Sequence, residues 1–319
     1  MARASSGSRL IVLIALAGNF AIAVSKFVAA FIAGSSAMAS EGIHSLADTA
    51  NELLLLHGMK RAEAPPDTRH PFGHGREAYF WSFIVALMVF ALGALASFYQ
   101  GFSRLREPRE LGHFEAVYIV LAISFVFEGI SWVAALKRMR ASKGRYGYYE
   151  AIRRSKDPSV FTVLLEDSTA LLGLLVALAG TLAAQMTGRS EFDAWASIVI
   201  GALLCVTSFL LARETKALLI GEPAHTRLQH SIKYIASCDP AVAHVNGVIT
   251  VQLGPNQVFS AISAAFDNTL ATPEIEASVE RIDSAIRTAH DEVVAVFVKP
   301  QTRAIWRAHR DRLEPVSGD

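Results

Sequence analysis

Two stretches of the chain are apolar enough to cross a membrane, yet both contain ionisable side chains at bilayer depth. His44 and Asp48 lie in one stretch and Asp167 lies in the other. A charge at that depth costs roughly 2.5 to 3.5 kcal/mol on insertion scales, so these groups need a compensating partner. A divalent cation is such a partner, and the two stretches therefore predict membrane helices that line a cation pathway.

The polar residues of the first stretch follow a helical period. His44 and Asp48 are spaced i, i+4, which places both on one helix face, close enough to bind one ion. Glu41 and Asn51 extend the same face. Such a stripe faces the bundle interior and not lipid. The alternative is that His44 and Asp48 only hydrogen-bond each other, although contacts between membrane helices usually use uncharged side chains.

Composition divides the chain into a membrane part and a soluble part. Of its 319 residues, 52% are hydrophobic and 18% charged, and the mean hydropathy is +0.34. The chain is too apolar for a soluble protein of this length and too charged to be membrane throughout. A net charge of +1 gives no reason to expect a nucleic-acid partner. Six segments approach membrane-crossing length, at residues 10–32, 38–57, 78–100, 114–136, 161–183 and 192–211.

Basic residues indicate how these segments are oriented. Lys and Arg are concentrated after the second, fourth and sixth segments, so the positive-inside rule predicts cytoplasmic termini. We expect an integral, multi-pass protein of the plasma or inner membrane. Lys26 and Glu41 lie at similar depth in the first two segments and predict an ion pair. Glu128 interrupts the fourth segment, either as a contact to a neighbouring helix or as a proton relay.

The second part of the chain has the pattern of a small α+β domain. It predicts the order α-β-β-α-β, with modest core volume that would gain from dimerisation. The predicted domains are the membrane domain 1–220, the cytoplasmic domain 221–301 and a charged, fraying tail 302–319. The predicted helices are 223–237 and 273–290, and the predicted strands are 242–253, 258–266 and 293–298.

The fifth segment carries two adjacent carboxylates, Glu166 and Asp167. Neighbouring residues point about 100° apart on a helix, so the two cannot face one ion equally. One is a candidate ligand and the other needs a different role. Carboxylates combined with an imidazole suit zinc or a similar first-row divalent ion better than calcium or magnesium.

A second histidine-rich motif lies between the second and third segments. Asp67, His70 and His74 are interleaved with Pro71 and two glycines, which favour a loop over a helix. The spacing is compatible with a metal site. A solvated polar loop is an equally good interpretation of the spacing alone.

The order of these motifs resembles the cation diffusion facilitator family of divalent-metal/proton antiporters. The resemblance covers residues from about 10 to 300 and rests on HSxxD at 44–48, HPxGHG at 70–75 and a carboxylate in the fifth segment. It implies a bundle of six transmembrane helices, followed by a cytoplasmic ferredoxin-like domain that mediates homodimerisation. It also implies zinc and protons as substrates, no cofactor, transport-site ligands His44, Asp48 and Asp167, and a second metal site at Asp67, His70 and His74.

Two positions depart from the family pattern. The first fifth-segment ligand would fall on Val163, which cannot bind metal, so Glu166, a water or Asn51 completes the shell. The text around Glu166 is similar to a branch that includes mitochondrial zinc transporters. In the last predicted strand, Phe297 and Lys299 stand where many members have metal ligands, which favours a dimerisation module over a metal sensor.

The favoured hypothesis is therefore an antiporter that exports zinc from the cytoplasm in exchange for protons. Selectivity for manganese, iron or cobalt within the same family is an alternative. A metal-dependent intramembrane enzyme is another, with Glu166 as its candidate general base. A membrane-anchored interaction module would leave the polar stripe unexplained.

Overall fold

The computed structural model describes residues 6–142 and 147–313, which form two compact units. The first unit is helical and contains the described residues up to 60 together with 78–216. The second contains residues 61–77 and the described residues from 217 onward. The loop that carries Asp67, His70 and His74 thus belongs to the same unit as the C-terminal domain.

The first unit is built from long helices. A π-helical segment, Val89–Ala94, joins α3 to α4, so that helix runs continuously over Glu77–Arg106. The helices are α1 (Ser6–Ala33), α2 (Ser36–Ala62), α3 (Glu77–Met88), α4 (Leu95–Arg106), α5 (Phe114–Ser142), α6 (Tyr148–Arg154), α7 (Pro158–Thr187) and α8 (Glu191–Ile220).

Local sequence explains where the helices that carry the polar residues begin. Gly34 adopts a φ of +69°, a left-handed conformation that favours glycine, and it separates α1 from α2. Pro158 occupies the first turn of α7, where its missing N–H has no helical partner to lose. The carboxylate of Asp157 caps that helix by accepting from the backbone N–H of Ser159 at 3.0 Å.

A continuous apolar core joins the long helices. Small side chains are prominent in it, among them Ala29 of α1, Ala37 of α2 and Ala177 of α7, each exposed by no more than 2%. Small residues let membrane helices approach closely and gain dispersion contacts. Leu174 and Leu204 fill the larger spaces. Because α2 is packed within this core, its polar stripe is held inside the bundle.

Among the described residues, five helices are long and apolar enough to cross a membrane: α1, the continuous helix Glu77–Arg106, α5, α7 and α8. The prediction of a helical membrane domain is confirmed in this form. The predicted segment 38–57 lies in α2, a helix of 27 residues whose polar stripe lowers its hydropathy. That α2 is a sixth span stays a prediction.

The second unit contains a three-stranded sheet. Strands β1 (Val242–Gly254) and β2 (Gln257–Phe266) pair antiparallel, and β2 pairs in parallel with β3 (Val293–Pro300) in the order β1-β2-β3. With α9 (Thr226–Ser237) and α10 (Thr272–Ala289), these elements give the predicted order α-β-β-α-β. Ile232, Ile262 and Ile282 form the centre of its core. The ferredoxin-like assignment stays a prediction.

The predicted fraying of the tail is wrong for residues 303–313, which form helix α11 (Arg303–Leu313). Its Trp306 ring lies against β1 at Gly247, where any Cβ would collide with the ring. Charge density alone suggested an unstructured tail. The single aromatic anchor explains why the segment packs instead, because an indole ring buries a large apolar area.

Candidate metal centre

The imidazole of His44 and the carboxylate of Asp48 lie side by side on α2, as their spacing predicts. His44 Nδ1 is 3.3 Å from Asp48 Oδ1, and the His44 side chain is almost completely buried. The two atoms are not oriented for a hydrogen bond. Both His44 ring nitrogens and Asp48 Oδ1 lack hydrogen-bond partners among the described residues. Buried polar atoms are nearly always hydrogen-bonded, so these unpaired atoms make His44 and Asp48 candidate ligands.

The carboxylates of α7 face different neighbours. Glu166, only 7% exposed, accepts a hydrogen bond of 2.9 Å from the side-chain amide of Asn51 on α2. Asp167 instead accepts from the Ser131 hydroxyl of α5 at 2.7 Å. The resemblance assigned the ligand role to Asp167 and left Glu166 beside it. The structure instead joins Glu166 to the helix that carries His44 and Asp48.

Asn51 connects the two halves of the candidate site. Its amide group donates to Glu166, while its Oδ1 is buried and has no hydrogen-bond partner among the described residues. An amide oxygen is a competent ligand for a divalent ion. Val163 offers no donor atom. Glu166 and Asn51 were both considered as ligands in place of Val163, and they are hydrogen-bonded to each other.

The intramembrane residues do not converge on one point in this conformation. Among the described residues, three or more His, Cys, Asp or Glu side chains have ligand atoms within 4.8 Å of one another only at Asp67, His70 and His74. His44 and Asp48 form one half of the candidate site and Glu166 with Asn51 forms the other. A metal bound by both halves would require α2 and α7 side chains to move toward each other.

The loop motif of the second unit is locally ordered. Asp67 Oδ1 accepts backbone N–H groups from His70 at 2.6 Å and Arg69 at 2.7 Å. These bonds lower the pKa of Asp67 and keep its carboxylate ionised, and the bond from the His70 N–H has the largest effect. The same carboxylate lies 3.1 Å from His70 Nδ1 and 3.5 Å from His74 Nε2. The Asp67 turn therefore brings two imidazoles and one carboxylate together without helical geometry.

The predicted ion pair between α1 and α2 is present. Lys26 Nζ lies 3.2 Å from Glu41 Oε2, and both side chains are fully buried. Glu128 of α5 also approaches the ammonium group, at 3.7 Å. Of the two roles considered for Glu128, the structure shows the contact to a neighbouring helix.

Sequence reasoning missed Asp193 near the start of α8. Its buried carboxylate accepts from the Ser35 and Ser36 hydroxyls and from the backbone N–H groups of Ser36 and Ala37. It therefore caps the N-terminus of α2 from a different helix. The SS pair at 35–36 is a local capping signal, but only the packing of α8 supplies the carboxylate.

An apolar helical bundle with a buried histidine and buried carboxylates is typical of membrane proteins with an ion pathway. Residues 12–220 match the cation efflux transmembrane domain, and the chain belongs to this cation diffusion facilitator family. Over 269 residues it is 33% identical to the mitochondrial proton-coupled zinc antiporter SLC30A9 of Mus musculus, covering 83% of this chain and 47% of that protein.

Of two further relatives, one is named for metal tolerance in general and the other for manganese. Metal tolerance protein C4 of Arabidopsis thaliana is 33% identical over 205 residues, 64% of this chain and 45% of that protein. The manganese efflux system protein MneP of Bacillus subtilis is 27% identical over 242 residues, 73% of this chain and 75% of that protein. This chain spans about half the length of the mouse and plant relatives. The mitochondrial name gives no support to the plasma membrane expected from the sequence.

Proposed function

We propose that the protein exports zinc from the cytoplasm in exchange for protons. The observation that carries this proposal is the α2 pair His44 and Asp48, whose buried donor atoms have no hydrogen-bond partner among the described residues. It is supported by family membership and by the zinc and proton named for the mouse relative. The manganese named for the Bacillus relative keeps manganese, with iron and cobalt, as the alternative cargo.

Competition between protons and metal for the same atoms provides the coupling. Metal binding needs a neutral His44 and ionised carboxylates at Asp48 and on α7. Protons arriving from the acidic side neutralise the carboxylates and charge the imidazole, so they expel the ion. On the cytoplasmic side an arriving ion displaces those protons. Zinc and protons therefore bind to the same set of side chains in both directions of the exchange.

The rest of the proposal concerns architecture. We include α2 as the sixth span, because its polar stripe would face the helix bundle. Cytoplasmic termini and a homodimer joined through the C-terminal domain complete it. As carboxylate ligands from α7 we include both Glu166 and Asp167, with Glu166 closer to α2. Membership of a family of cation transporters also favours transport over an enzyme.

Reconstituted protein tests this function directly. Proteoliposomes with a zinc dye and a pH dye should show zinc flux opposed by proton flux. Both fluxes should disappear in His44→Ala and Asp48→Ala. Thr49→Ala is the matched control, because the Thr49 hydroxyl donates to the backbone carbonyl of Ser45 in its own helix and to nothing else among the described residues. Zinc flux that survives both substitutions in folded protein would refute the site assignment.

The loop residues have a separate, weaker role in this proposal. We propose that Asp67, His70 and His74 bind the same metal transiently, at a site separate from the membrane ligands. The short distances among their ligand atoms support this proposal. The double substitution His70→Ala and His74→Ala should lower zinc flux by less than about tenfold, because the membrane ligands stay intact. An unchanged zinc flux would mean that the motif is an ordinary polar loop with no part in transport.

A further inference from the structure

Three charged side chains meet inside the helical unit, outside the candidate metal ligands. Lys26 of α1, Glu41 of α2 and Glu128 of α5 form what we call the Lys26 cluster. Lys26 Nζ lies 3.2 Å from Glu41 and 3.7 Å from Glu128, and it donates to the Ser45 hydroxyl at 2.6 Å. Lys26 and Glu41 are fully buried, whereas the Glu128 side chain is 16% exposed.

The charges in this cluster do not balance. One ammonium group faces two carboxylates, so the fully ionised cluster carries one excess negative charge inside the bundle. Glu41 Oε1 is buried and has no hydrogen-bond partner among the described residues. It is pressed against Gly173 of α7, where a Cβ would collide with it, so the close packing leaves little room around this oxygen. A buried, unpaired carboxylate oxygen is costly, and one added proton removes the excess charge.

The cluster is also electrostatically linked to the candidate metal site. The charges of Lys26 and Glu128 act on Asp48, and the charge of Glu128 acts on Asp167. The ionisable groups linked to the cluster are His44, through Lys26, Asp48, through Lys26 and Glu128, and Asp167, through Glu128. A divalent ion held at His44 and Asp48 adds two positive charges close to the Lys26 cluster. These charges disfavour a proton bound to the cluster.

We propose that the Lys26 cluster is a proton-binding site distinct from the metal ligands. Glu41 and Glu128 share one proton beside Lys26, and the arrival of the divalent ion expels it. In that step the O–H bond of the carboxylic acid breaks, the electron pair stays on the carboxylate, and water accepts the proton at Glu128, the more exposed group. The inference rests on the proposed function, because it counts one proton beyond those displaced from the ligands.

The test counts protons per metal ion. Glu128→Gln and Glu41→Gln should each transport zinc but return about one proton fewer per ion than the unsubstituted protein. The same loss should appear as reduced proton release when zinc is added to detergent-solubilised protein in weak buffer. Glu115→Gln, an exposed carboxylate at the start of α5, is the matched control and should leave the count unchanged.

The possible results separate the two proposals. If Glu41→Gln fails to fold, Glu128→Gln decides alone. An unchanged proton count in a folded variant that still transports zinc overturns the Lys26 cluster as a proton site. Absence of zinc flux in the unsubstituted protein overturns the proposed function instead.

Discussion

Adjacent residues of α7 have different partners. Glu166 accepts from Asn51 of α2, whereas Asp167 accepts from Ser131 of α5. Their side chains point about 100° apart around the helix axis, so the rotation of α7 decides which one meets α2. In this structure that residue is Glu166. The hydrogen bond from Ser131 joins Asp167 to α5 instead.

Glu166→Gln should therefore impair zinc transport more than Asp167→Asn. We expect a loss beyond about 100-fold for Glu166, as for the ligand nearer α2, and about tenfold for Asp167, as for a ligand that is partly held by Ser131. Initial zinc flux into proteoliposomes measures both. A greater loss with Asp167→Asn would assign the ligand role to that residue, as the family pattern implies.

The start of α2 is held by a polar contact from another helix. Asp193 of α8 caps the start of α2 with four hydrogen bonds, and α2 carries His44 and Asp48. Because capping satisfies the otherwise unpaired N–H groups of the first helical turn, the position of the helix that carries the candidate ligands depends on α8.

Asp193→Ala should destabilise the protein by about 1 to 3 kcal/mol, since it leaves buried donors of Ser35 and Ser36 unsatisfied. Thermal unfolding in detergent measures the change. Glu191→Ala is the matched control in the same helical turn. Among the described residues Glu191 pairs only with exposed Arg189, so its loss should change stability by less than about 0.5 kcal/mol. Equal effects of the two substitutions would show that the cap contributes nothing specific.

Helix α11 depends on one aromatic anchor. Trp306→Ala removes the ring that covers Gly247, so we expect hydrogen exchange in α11 to rise about tenfold, equivalent to a loss of about 1.4 kcal/mol. Ile305→Ala, at a position that is 49% exposed, serves as the control and should change exchange little. Unaltered exchange in the Trp306 variant would mean that other contacts hold the helix.

At the scale of the whole molecule, the proposed exchange is reversible. Protons and zinc compete for shared ligands, so either gradient can drive the other ion. A pH gradient imposed on proteoliposomes with equal zinc on both sides should therefore move zinc toward the acidic side. The zinc dye measures this movement, and His44→Ala should abolish it. Zinc that ignores the pH gradient while still entering down its own gradient would indicate uniport, not antiport.

Periodicity and local signals determined much of this protein from sequence alone. Runs of about 20 apolar residues have few alternatives to membrane helices, and the i, i+4 spacing of His44 and Asp48 requires a shared face once α2 is helical. The ion pair of Lys26 and Glu41 followed from matched depth, because two charges in an apolar bundle stabilise each other. The strand and helix order of the C-terminal domain followed from alternating hydrophobicity and turn residues.

Tertiary structure decided what depends on how helices rotate and which segments meet. The partners of Glu166 and Asp167, the Asp193 cap, the place of Glu128 beside Lys26 and the packing of α11 all join residues far apart in sequence. No local pattern encodes these pairings, because the rotation of a helix is set by the side chains packed around it. The sequence alone thus determined which chemistry lies in the bundle, and the tertiary structure decided which side chains face each other to perform it.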